Sequence, residues 1–218
     1  MSTTHTEFTI VRHGETEGNL SRHLQGQSDT PLSANGILQV QAAAARLADE
    51  QFDFAYCSDL GRAMQTAEIL AAANPTAHFQ PLSALREWSI GEAEGIELNE
   101  FQKRFPEEFQ SFLKEACNIR PPGGESRLEF QTRVSKTMNE LASKHPFKRL
   151  LLVVHGGTLQ RIFRLVVGIT LPENRLPLAD NAAICRIRHY PETGEWQLVA
   201  WNSVDHLREL PINPTLAY

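Results

Sequence analysis

Short apolar runs of strand length alternate with segments of helical period along most of this chain. The runs FTIV at 8–11, FAYC at 54–57 and RLLLVV at 149–154 are apolar almost without a break. Such runs are typical of parallel strands that are buried on both faces of a sheet. A chain that alternates strands of this kind with helices is restricted to a small set of folds, in which helices cover a parallel sheet.

Helix signals lie between and after these strands. Ser33 has the residue type of an N-cap, and Ser126 with Glu129 has the spacing of a capping box. Apolar residues follow both starts at intervals of three or four: Ile37, Val40, Ala44 and Leu47 after the first, and Phe130, Val134, Met138 and Leu141 after the second. Further helices are predicted at about 60–73 and in GGTLQRIFRLVVG at 156–168.

The last part of the chain predicts an antiparallel element. AAICRIRHY at 182–190 and EWQLVAW at 195–201 flank a short turn and predict a hairpin. Residues from about 92 to 123 interrupt the rhythm of strands and helices, and we expect them to form a helical insertion over the ligand-binding edge of the sheet. We therefore predict one domain over 1–218, a three-layer α/β/α sandwich whose sheet is mostly parallel with one antiparallel portion.

Charge and composition limit the partners of the protein. The chain has 218 residues, of which 41% are hydrophobic and 22% charged, and its net charge is -5. This acidic balance gives no general attraction for nucleic acid or anionic lipid, so a bound anion needs a local cluster of cations. No apolar run approaches the roughly 18 residues of a membrane span. We expect a cytoplasmic protein with neither a nucleic-acid nor a membrane partner, and we leave a homodimer open.

Basic residues follow three of the predicted strands. The first strand ends in Arg12 and His13, the second is followed by Arg62 in the first turn of a helix, and RLLLVV is followed by His155. The carboxyl ends of parallel strands meet at one edge of a sheet, where ligands bind in open α/β folds. We therefore expect these two histidines and two arginines to lie close together.

This set of side chains suits a phosphoryl group. Guanidinium groups stay protonated and offer forked donors that match phosphate oxygens. A neutral imidazole can attack phosphorus, while the arginines and the second histidine neutralise charge on the equatorial oxygens. The leaving oxygen needs a proton, which a nearby carboxyl group can provide. Position in the sequence alone does not choose among four candidates for that group: Glu15, Glu87, Glu92 and Glu125.

Five blocks of the sequence, in order, resemble the histidine phosphatase superfamily, the phosphoglycerate-mutase-like enzymes. They are VRHGETEGNLSRHLQGQSDTPLSANG, SDLGRAMQTAEIL, LREWSIGEAEG, PPGGES and VVHGGTLQRI, which together span roughly residues 8–168. The tail WNSVDHL at 201–207 is similar to the ending of the family's phosphatase branch. The resemblance implies an enzyme that handles a small phosphorylated metabolite without a cofactor.

The resemblance also implies a role for each matching residue. His13 is the nucleophile that becomes phosphohistidine, and Glu87 is the proton donor and acceptor. The phosphate clamp consists of Arg12, Arg62 and His155.

The resemblance implies substrate contacts as well. Asn19 is expected to donate to the phosphoryl group, and Gln25 with Gly26 matches a loop that touches substrate in the mutases. Gly156 follows the second histidine and is expected to contact substrate as well.

Two alternatives from other classes fit the residues less well. A metal hydrolase would use His13, Glu15 and His155 as ligands, but fixed arginines beside a divalent cation are electrostatically unfavourable. Cys57, Cys117 and Cys185 are odd in number and far apart, so they favour neither a disulfide framework nor a zinc site. A binding module without activity predicts the loss of a catalytic residue, and none is missing. We therefore expect no metal.

The choice between phosphatase and mutase depends on two short stretches and on charge. Mutases that resemble phosphoglycerate mutase carry HGNS and ERHYG where this chain has HGGT at 155–158 and EWSIG at 87–91. An acidic insertion also suits a bisphosphate intermediate poorly. In 92–120 the acidic residues are Glu92, Glu94, Glu97, Glu100, Glu107, Glu108 and Glu115, against the basic residues Lys103, Arg104, Lys114 and Arg120. We expect a phosphoric monoester hydrolase; a cofactor-dependent phosphoglycerate mutase is the alternative.

Overall fold

A computed structural model describes residues 4–21, 23–113, 120–170 and 176–210. Its centre is a six-stranded sheet in the order β3-β2-β4-β1-β5-β6. The strands are β1 (Thr6–Arg12), β2 (Phe54–Cys57), β3 (Phe79–Pro81), β4 (Arg149–Val154), β5 (Ile184–Tyr190) and β6 (Glu195–Ser203). Strands β1 to β4 pair in parallel, whereas β5 runs antiparallel to both β1 and β6. The predicted mostly parallel sheet with one antiparallel portion is confirmed.

Helices cover both faces of this sheet. They are α1 (Glu17–Leu20), α2 (Ala34–Leu47), α3 (Gly61–Ala73), α4 (Leu98–Arg104), α5 (Pro106–Leu113), α6 (Arg127–Lys144) and α7 (Gly156–Val167). One hydrophobic cluster joins α6 and α7 to one face of the sheet, and a second joins α2 and α3 to the other face. Neighbouring residues of β4 alternate between these clusters, as the period of a strand requires. The α/β fold therefore has three layers.

The predicted caps begin their helices. Ser33 Oγ accepts the Gly36 N–H at 3.0 Å at the start of α2. At α6, Ser126 Oγ accepts the Glu129 N–H, and Glu129 Oε2 accepts the Ser126 N–H at 2.8 Å. The capping box satisfies two backbone donors that a helix start leaves unpaired.

The apolar face of α2 differs from the prediction at its first residue. Val40, Ala44 and Leu47 are buried, but Ile37 is 40% exposed. The buried stripe begins instead at Gly36, where an added Cβ would lie 2.0 Å from Glu15 O. Helix α2 contacts the backbone at Glu15 through Gly36. Because successive helical residues are about 100° apart, Ile37 points away from this contact.

The expected insertion contains α4 and α5. Phe101 and Phe109 from these helices form a small cluster with Leu24, Ile90 and Ala93. Residues 114–119, including Cys117, lie outside the described part of the chain, as do both ends of the predicted 1–218 domain. The insertion and the single domain therefore stay predictions.

The sheet brings three carboxyl ends to one edge. Arg12 on β1 is opposite Val154 on β4, and Cys57 on β2 is opposite Val153. The residues that follow β1, β2 and β4 therefore begin at the same edge of the sheet. None of the helices in the described ranges is both long and apolar enough to cross a bilayer.

Candidate active site

Two histidines meet where β1 and β4 end. His13 continues the strand ladder, since its N–H donates to Val154 O at 3.0 Å, and His155 begins the turn into α7. Both side chains are buried, and their ring centroids are 5.1 Å apart. The parallel register of β1 and β4 thus places the two imidazoles side by side.

The tautomer of His13 follows from its contact with the backbone. Nδ1 lies 2.8 Å from Gly14 O, and because a carbonyl oxygen only accepts, Nδ1 carries the proton. Nε2 then holds the lone pair, and it makes no hydrogen bond within the described residues. Burial, and next the charges of Arg62 and Arg12, hold the pKa of His13 well below its usual range. His13 is therefore a neutral imidazole whose lone pair is available as a nucleophile.

The orientation of His155 depends on Ser58, which follows β2. His155 Nε2 lies 2.8 Å from Ser58 Oγ, and that oxygen already accepts the Leu60 N–H. The serine hydroxyl can donate to Nε2 while it accepts the Leu60 N–H, and in that arrangement the neutral ring carries its proton on Nδ1. Burial is the largest cause that lowers the pKa of His155, followed by Arg62. His155 Nδ1 is buried without a hydrogen-bond partner in the described chain, so its N–H is available to a ligand oxygen.

The two predicted arginines are held by backbone carbonyls. Arg62, 1% exposed, donates from Nη1 to Ser28 O at 2.7 Å and from Nη2 to Gly26 O at 2.8 Å. Arg12 Nη1 donates to Ala179 O at 2.6 Å. Burial lowers the pKa of Arg62, and the neighbouring carboxylate of Glu87 opposes that shift. Both guanidinium groups are fixed before a ligand arrives, which is the requirement for electrostatic stabilisation of a transition state.

Glu87 is anchored at the N-terminus of α7. Its Oε2 accepts the Gly157 N–H and its Oε1 accepts the Trp88 N–H, each at 2.8 Å. A Cβ added to Gly157 would lie 2.3 Å from Glu87 Oε1, so the carboxylate needs glycine there. At Gly156 an added Cβ would lie 3.2 Å from Arg12 Cζ. The two glycines let the helix approach both charged groups closely.

The geometry separates the four candidate carboxylates. Glu87 lines the cavity at this edge, whereas Glu15 is buried, does not line the cavity and accepts the Ser33 hydroxyl at 2.7 Å. Glu125 pairs with Arg133. Glu92 is exposed and does not line the cavity. Only Glu87 among these four therefore faces the position of a reacting group.

Asn19 and Gln25, both predicted to contact substrate, use their side-chain amide oxygens in hydrogen bonds within the protein. Asn19 Oδ1 accepts the Thr16 N–H at 3.0 Å, which leaves the Asn19 NH2 group as a donor. Gln25 Oε1 accepts the Thr30 hydroxyl at 2.8 Å, so Gln25 also retains its NH2 group. Gly26 has φ +52° and gives its carbonyl to Arg62. The hydrogen bonds of Arg62 therefore connect the loop that contains Gly26 with the predicted phosphate clamp.

The cavity at this edge has a volume of about 140 Å³. It is small beside the roughly 300–1,000 Å³ typical of sites for drug-sized ligands. Every predicted site residue lines it except His155, whose ring centroid lies 5.1 Å from that of His13. Residues not predicted for this wall complete the lining: His23, Leu24, Ile90, Arg127, Gly157, Gln160 and Leu178.

Arg127 is the charged residue of the cavity that sequence reasoning missed. Its Cζ lies 4.7 Å from the centroid of the Trp88 ring, and the residue is 7% exposed. The one available signal was its place directly after the Ser126 cap, which fixes it at the first turn of α6. Nothing in that position indicates which way the side chain turns.

The described residues contain no group of three or more histidine, cysteine or carboxylate side chains placed to hold a metal ion. The cavity instead collects an uncharged imidazole with a free lone pair, fixed guanidinium groups and one carboxylate. This arrangement can hold a phosphoryl dianion, attack it and transfer a proton.

The chain is similar to known proteins in sequence and in structure. The chain is 31% identical over 205 residues to phosphoglycerate mutase-like protein 4 of Arabidopsis thaliana, covering 93% of this chain and 87% of that relative. It is 30% identical over 204 residues to a metal-independent phosphoserine phosphatase of the same plant, covering 93% and 83%. The solved structure of Bacillus stearothermophilus YhfR superposes with a TM-score of 0.86 at 25% identity, covering 93% of this chain and all of the other.

The profile of the histidine phosphatase superfamily (branch 1) matches residues 8–204, which is most of the 218-residue chain. That stretch begins in β1 and continues to the end of β6, so it contains every residue placed at the cavity above. The chain therefore belongs to the histidine phosphatase superfamily.

Proposed function

We propose that this protein is a metal-independent phosphatase that hydrolyses a small phosphorylated metabolite through a phosphohistidine at His13. The observation that carries the proposal is the 2.8 Å contact between His13 Nδ1 and Gly14 O, which assigns the lone pair of the ring to Nε2. Two fixed guanidinium groups, those of Arg12 and Arg62, line the same cavity. A nucleophile and its charge clamp therefore meet in one place.

In the first half-reaction, His13 Nε2 attacks phosphorus and forms a P–N bond. The P–O ester bond breaks, and its electron pair goes to the leaving oxygen, which takes a proton from the carboxyl group of Glu87. Arg12, Arg62 and the Nδ1–H of His155 stabilise the negative charge on the three remaining oxygens. Gly14 O stays hydrogen-bonded to Nδ1–H, which stabilises the positive charge of the phosphorylated ring.

In the second half-reaction, a water molecule replaces the alcohol product. The Glu87 carboxylate removes a proton from this water as its oxygen attacks phosphorus. The P–N bond breaks, and its electron pair returns to His13 Nε2. The sum is ester plus water to alcohol plus phosphate, with both residues restored.

Hydrolysis, not isomerisation, is favoured by the positions of the basic residues of α4. Lys103 and Arg104 on α4 are exposed and do not line it, so neither supplies a cation for a second phosphate. HGGT at 155–158 and EWSIG at 87–91 favour the same choice. One relative is named as mutase-like and another as a phosphatase, so the names alone favour neither activity.

The first test measures phosphate release from a panel of phosphorylated metabolites and from p-nitrophenyl phosphate. His13→Asn should abolish turnover, whereas His78→Asn, which changes an exposed histidine, should not. Substantial turnover by His13→Asn would sink the assignment of the nucleophile. Activity should also survive a chelator, and a strict metal requirement would revive the metal-hydrolase alternative.

A second test separates phosphatase from mutase. The enzyme is incubated with 3-phosphoglycerate, with and without 2,3-bisphosphoglycerate, and released phosphate is compared with isomerised product. Phosphate release should dominate in both cases; efficient isomerisation would overturn the choice. The cytoplasmic location stays a prediction, which fractionation of the native cells can check.

A further inference from the structure

Arg133 on α6 does not line the cavity, yet its guanidinium group contacts the main chain at Glu87. We propose that Arg133 is a positioning residue, which holds the main chain around Glu87 and so sets the orientation of the Glu87 carboxyl group. This inference rests on the proposed phosphatase function, in which Glu87 is the proton donor and acceptor.

The guanidinium group of Arg133 has five N–H donors, and each of them has an acceptor. Nη1 donates to Ala84 O and to Arg86 O, each at 3.0 Å. Nη2 donates to Glu87 O at 3.2 Å and to the carboxylate of Glu125, and Nε donates to the same carboxylate at 3.2 Å. The rigid fork therefore fixes three carbonyl oxygens of one short segment at the same time.

The segment that contains Glu87 needs donors from elsewhere in the chain. Residues 86–90 belong to neither a helix nor a strand, so no regular ladder of hydrogen bonds pairs their carbonyl groups. Glu87 O receives one donor from Arg133 and a second from Gln27 Nε2 at 3.0 Å. The main chain at Glu87 is thus positioned by side chains, and Arg133 makes the larger number of these contacts.

Glu125 extends the support to the other side of Glu87. Its carboxylate pairs with Arg133, and Oε1 of this carboxylate accepts the Ser89 N–H at 3.1 Å. The Glu125 N–H donates to Ser89 O at 2.9 Å, and Glu125 O accepts the Trp88 indole N–H at 2.7 Å. The contacts of Arg133 and its partner therefore reach from residue 84 to residue 89, and Glu87 lies inside this interval.

The carboxyl group of Glu87 depends on this support because only one of its two contacts reaches another element. Oε1 accepts the N–H of the neighbouring Trp88, whereas Oε2 accepts the Gly157 N–H at the start of α7, each at 2.8 Å. A shift of the segment relative to α7 breaks the second contact. A misplacement of about 1 Å at a reacting group can cost about 100-fold in rate.

The positive charge of Arg133 is a separate effect. Burial is the largest cause that lowers the pKa of His155, and the charge of Arg133 is the smallest. Lysine keeps that charge, but its donors all lie on a single nitrogen and cannot replace the fork. Arg133→Lys therefore separates the charge from the hydrogen bonds.

The first experiment locates the Glu87 carboxylate without turnover, by amide hydrogen exchange detected with NMR. The Gly157 amide, whose acceptor is Glu87 Oε2, should exchange about tenfold or more faster in Arg133→Gln and in Arg133→Lys, because that hydrogen bond is lost. The Leu159 amide of the same helix donates to His155 O at 2.9 Å and should exchange as in the wild type.

Arg186→Gln is the matched control. The Arg186 side chain is 20% exposed and pairs with Glu50, while that of Arg133 is 23% exposed and pairs with Glu125. Arg186 does not line the cavity and makes no contact with the segment around Glu87. Arg186→Gln should therefore leave the exchange of the Gly157 amide unchanged.

The second experiment measures kinetics with two aromatic substrates that differ in the leaving group. For benzyl phosphate, whose leaving oxygen needs a proton, Arg133→Gln should lower kcat/KM by about 10- to 100-fold. For p-nitrophenyl phosphate, kcat/KM should stay within about threefold, because that leaving group hardly needs a proton. Its kcat should still fall, since Glu87 must also activate water, and p-nitrophenol should appear in a burst of about one per chain.

The two experiments fail in different ways. Unchanged exchange of the Gly157 amide in the Arg133 variants would overturn the inference even if the wild-type enzyme is efficient. Equal losses of kcat/KM on both substrates, or full recovery in Arg133→Lys, would also overturn it, because either result assigns the effect to charge or to folding. Faster exchange of the Gly157 amide supports the positioning role even if the wild-type protein releases no phosphate. Urea unfolding checks each variant, and Arg133→Lys carries both comparisons if Arg133→Gln does not fold.

Discussion

Gly157→Ala is a one-methyl change that should disable Glu87 without unfolding α7. A Cβ at residue 157 would lie 2.3 Å from Glu87 Oε1, well inside ordinary van der Waals contact. The carboxylate must therefore move by about 1 Å, since carbon and oxygen need roughly 3.4 Å or more between them. That movement breaks the 2.8 Å hydrogen bond from the Gly157 N–H to Glu87 Oε2.

Activity should fall while stability changes little. Alanine is at most about 1 kcal/mol better than glycine in a helix, and the loss of the hydrogen bond from the Gly157 N–H costs about as much, so the free energy of unfolding should change by less than about 1 kcal/mol. A misplacement of about 1 Å at a reacting group can cost about 100-fold in rate. We expect Gly157→Ala to lower kcat/KM for an alkyl phosphate by roughly that factor. The loss should be much smaller with p-nitrophenyl phosphate, whose leaving group hardly needs a proton.

A double-mutant cycle with Glu87→Gln tests whether the effect passes through Glu87. Glutamine has the shape of glutamate but cannot supply the proton, so Gly157→Ala should cost little more in that background. The assay is kcat/KM for both substrates in all four proteins, with urea unfolding as the control. The same loss in both backgrounds, or full activity of Gly157→Ala, would refute the reasoning.

Three more predictions concern the histidines and the clamp. Ser58→Ala leaves His155 Nε2 without its 2.8 Å partner and should lower kcat/KM by about 5- to 150-fold, the equivalent of about 1–3 kcal/mol for an unsatisfied buried group. Because the pKa values of His13 and His155 lie below the usual 6.5, a pH profile of kcat/KM should show no loss centred at 6.5. Between those lowered values and 6.5 the unfolded chain binds more protons, so the free energy of unfolding should fall as pH is lowered through 6.5; a rise contradicts the shift. Arg62→Lys retains the charge but loses the fork that holds the loop 26–28, and steady-state kinetics should show lower kcat and higher KM together.

The sheet and the residues at its carboxyl edge were predictable because the sequences of buried parallel strands are continuous apolar runs. FTIV and RLLLVV mark β1 and β4, and the residues after them lie where parallel strands must end. The capping box at Ser126 likewise depends on chemistry between near neighbours. Local patterns of this kind predict the structure correctly here because the tertiary contacts favour the same conformation.

Other features depend on contacts that no local pattern encodes. Strand β3 has only three residues and α1 only four, which is too short to show a period. Ile37 keeps the helical spacing, but Gly36 takes the contact with the Glu15 loop. Arg127 and Trp88 are distant in the sequence, and so are Ser58 and His155, which follow β2 and β4. Both contacts form only in the folded chain. Residue position alone left four candidate carboxylates; the family resemblance pointed to Glu87, and of the four only Glu87 lines the cavity.

The most direct test of the mechanism is to trap the covalent intermediate. The enzyme is mixed with p-nitrophenyl phosphate labelled in its phosphoryl group and quenched in alkali within the first turnover, and the labelled peptide is mapped. An acid-labile label should reach at most one per chain, lie on His13 and be absent from His13→Asn. A label on His155, or rapid turnover of the wild-type enzyme without any trapped label, would contradict the account.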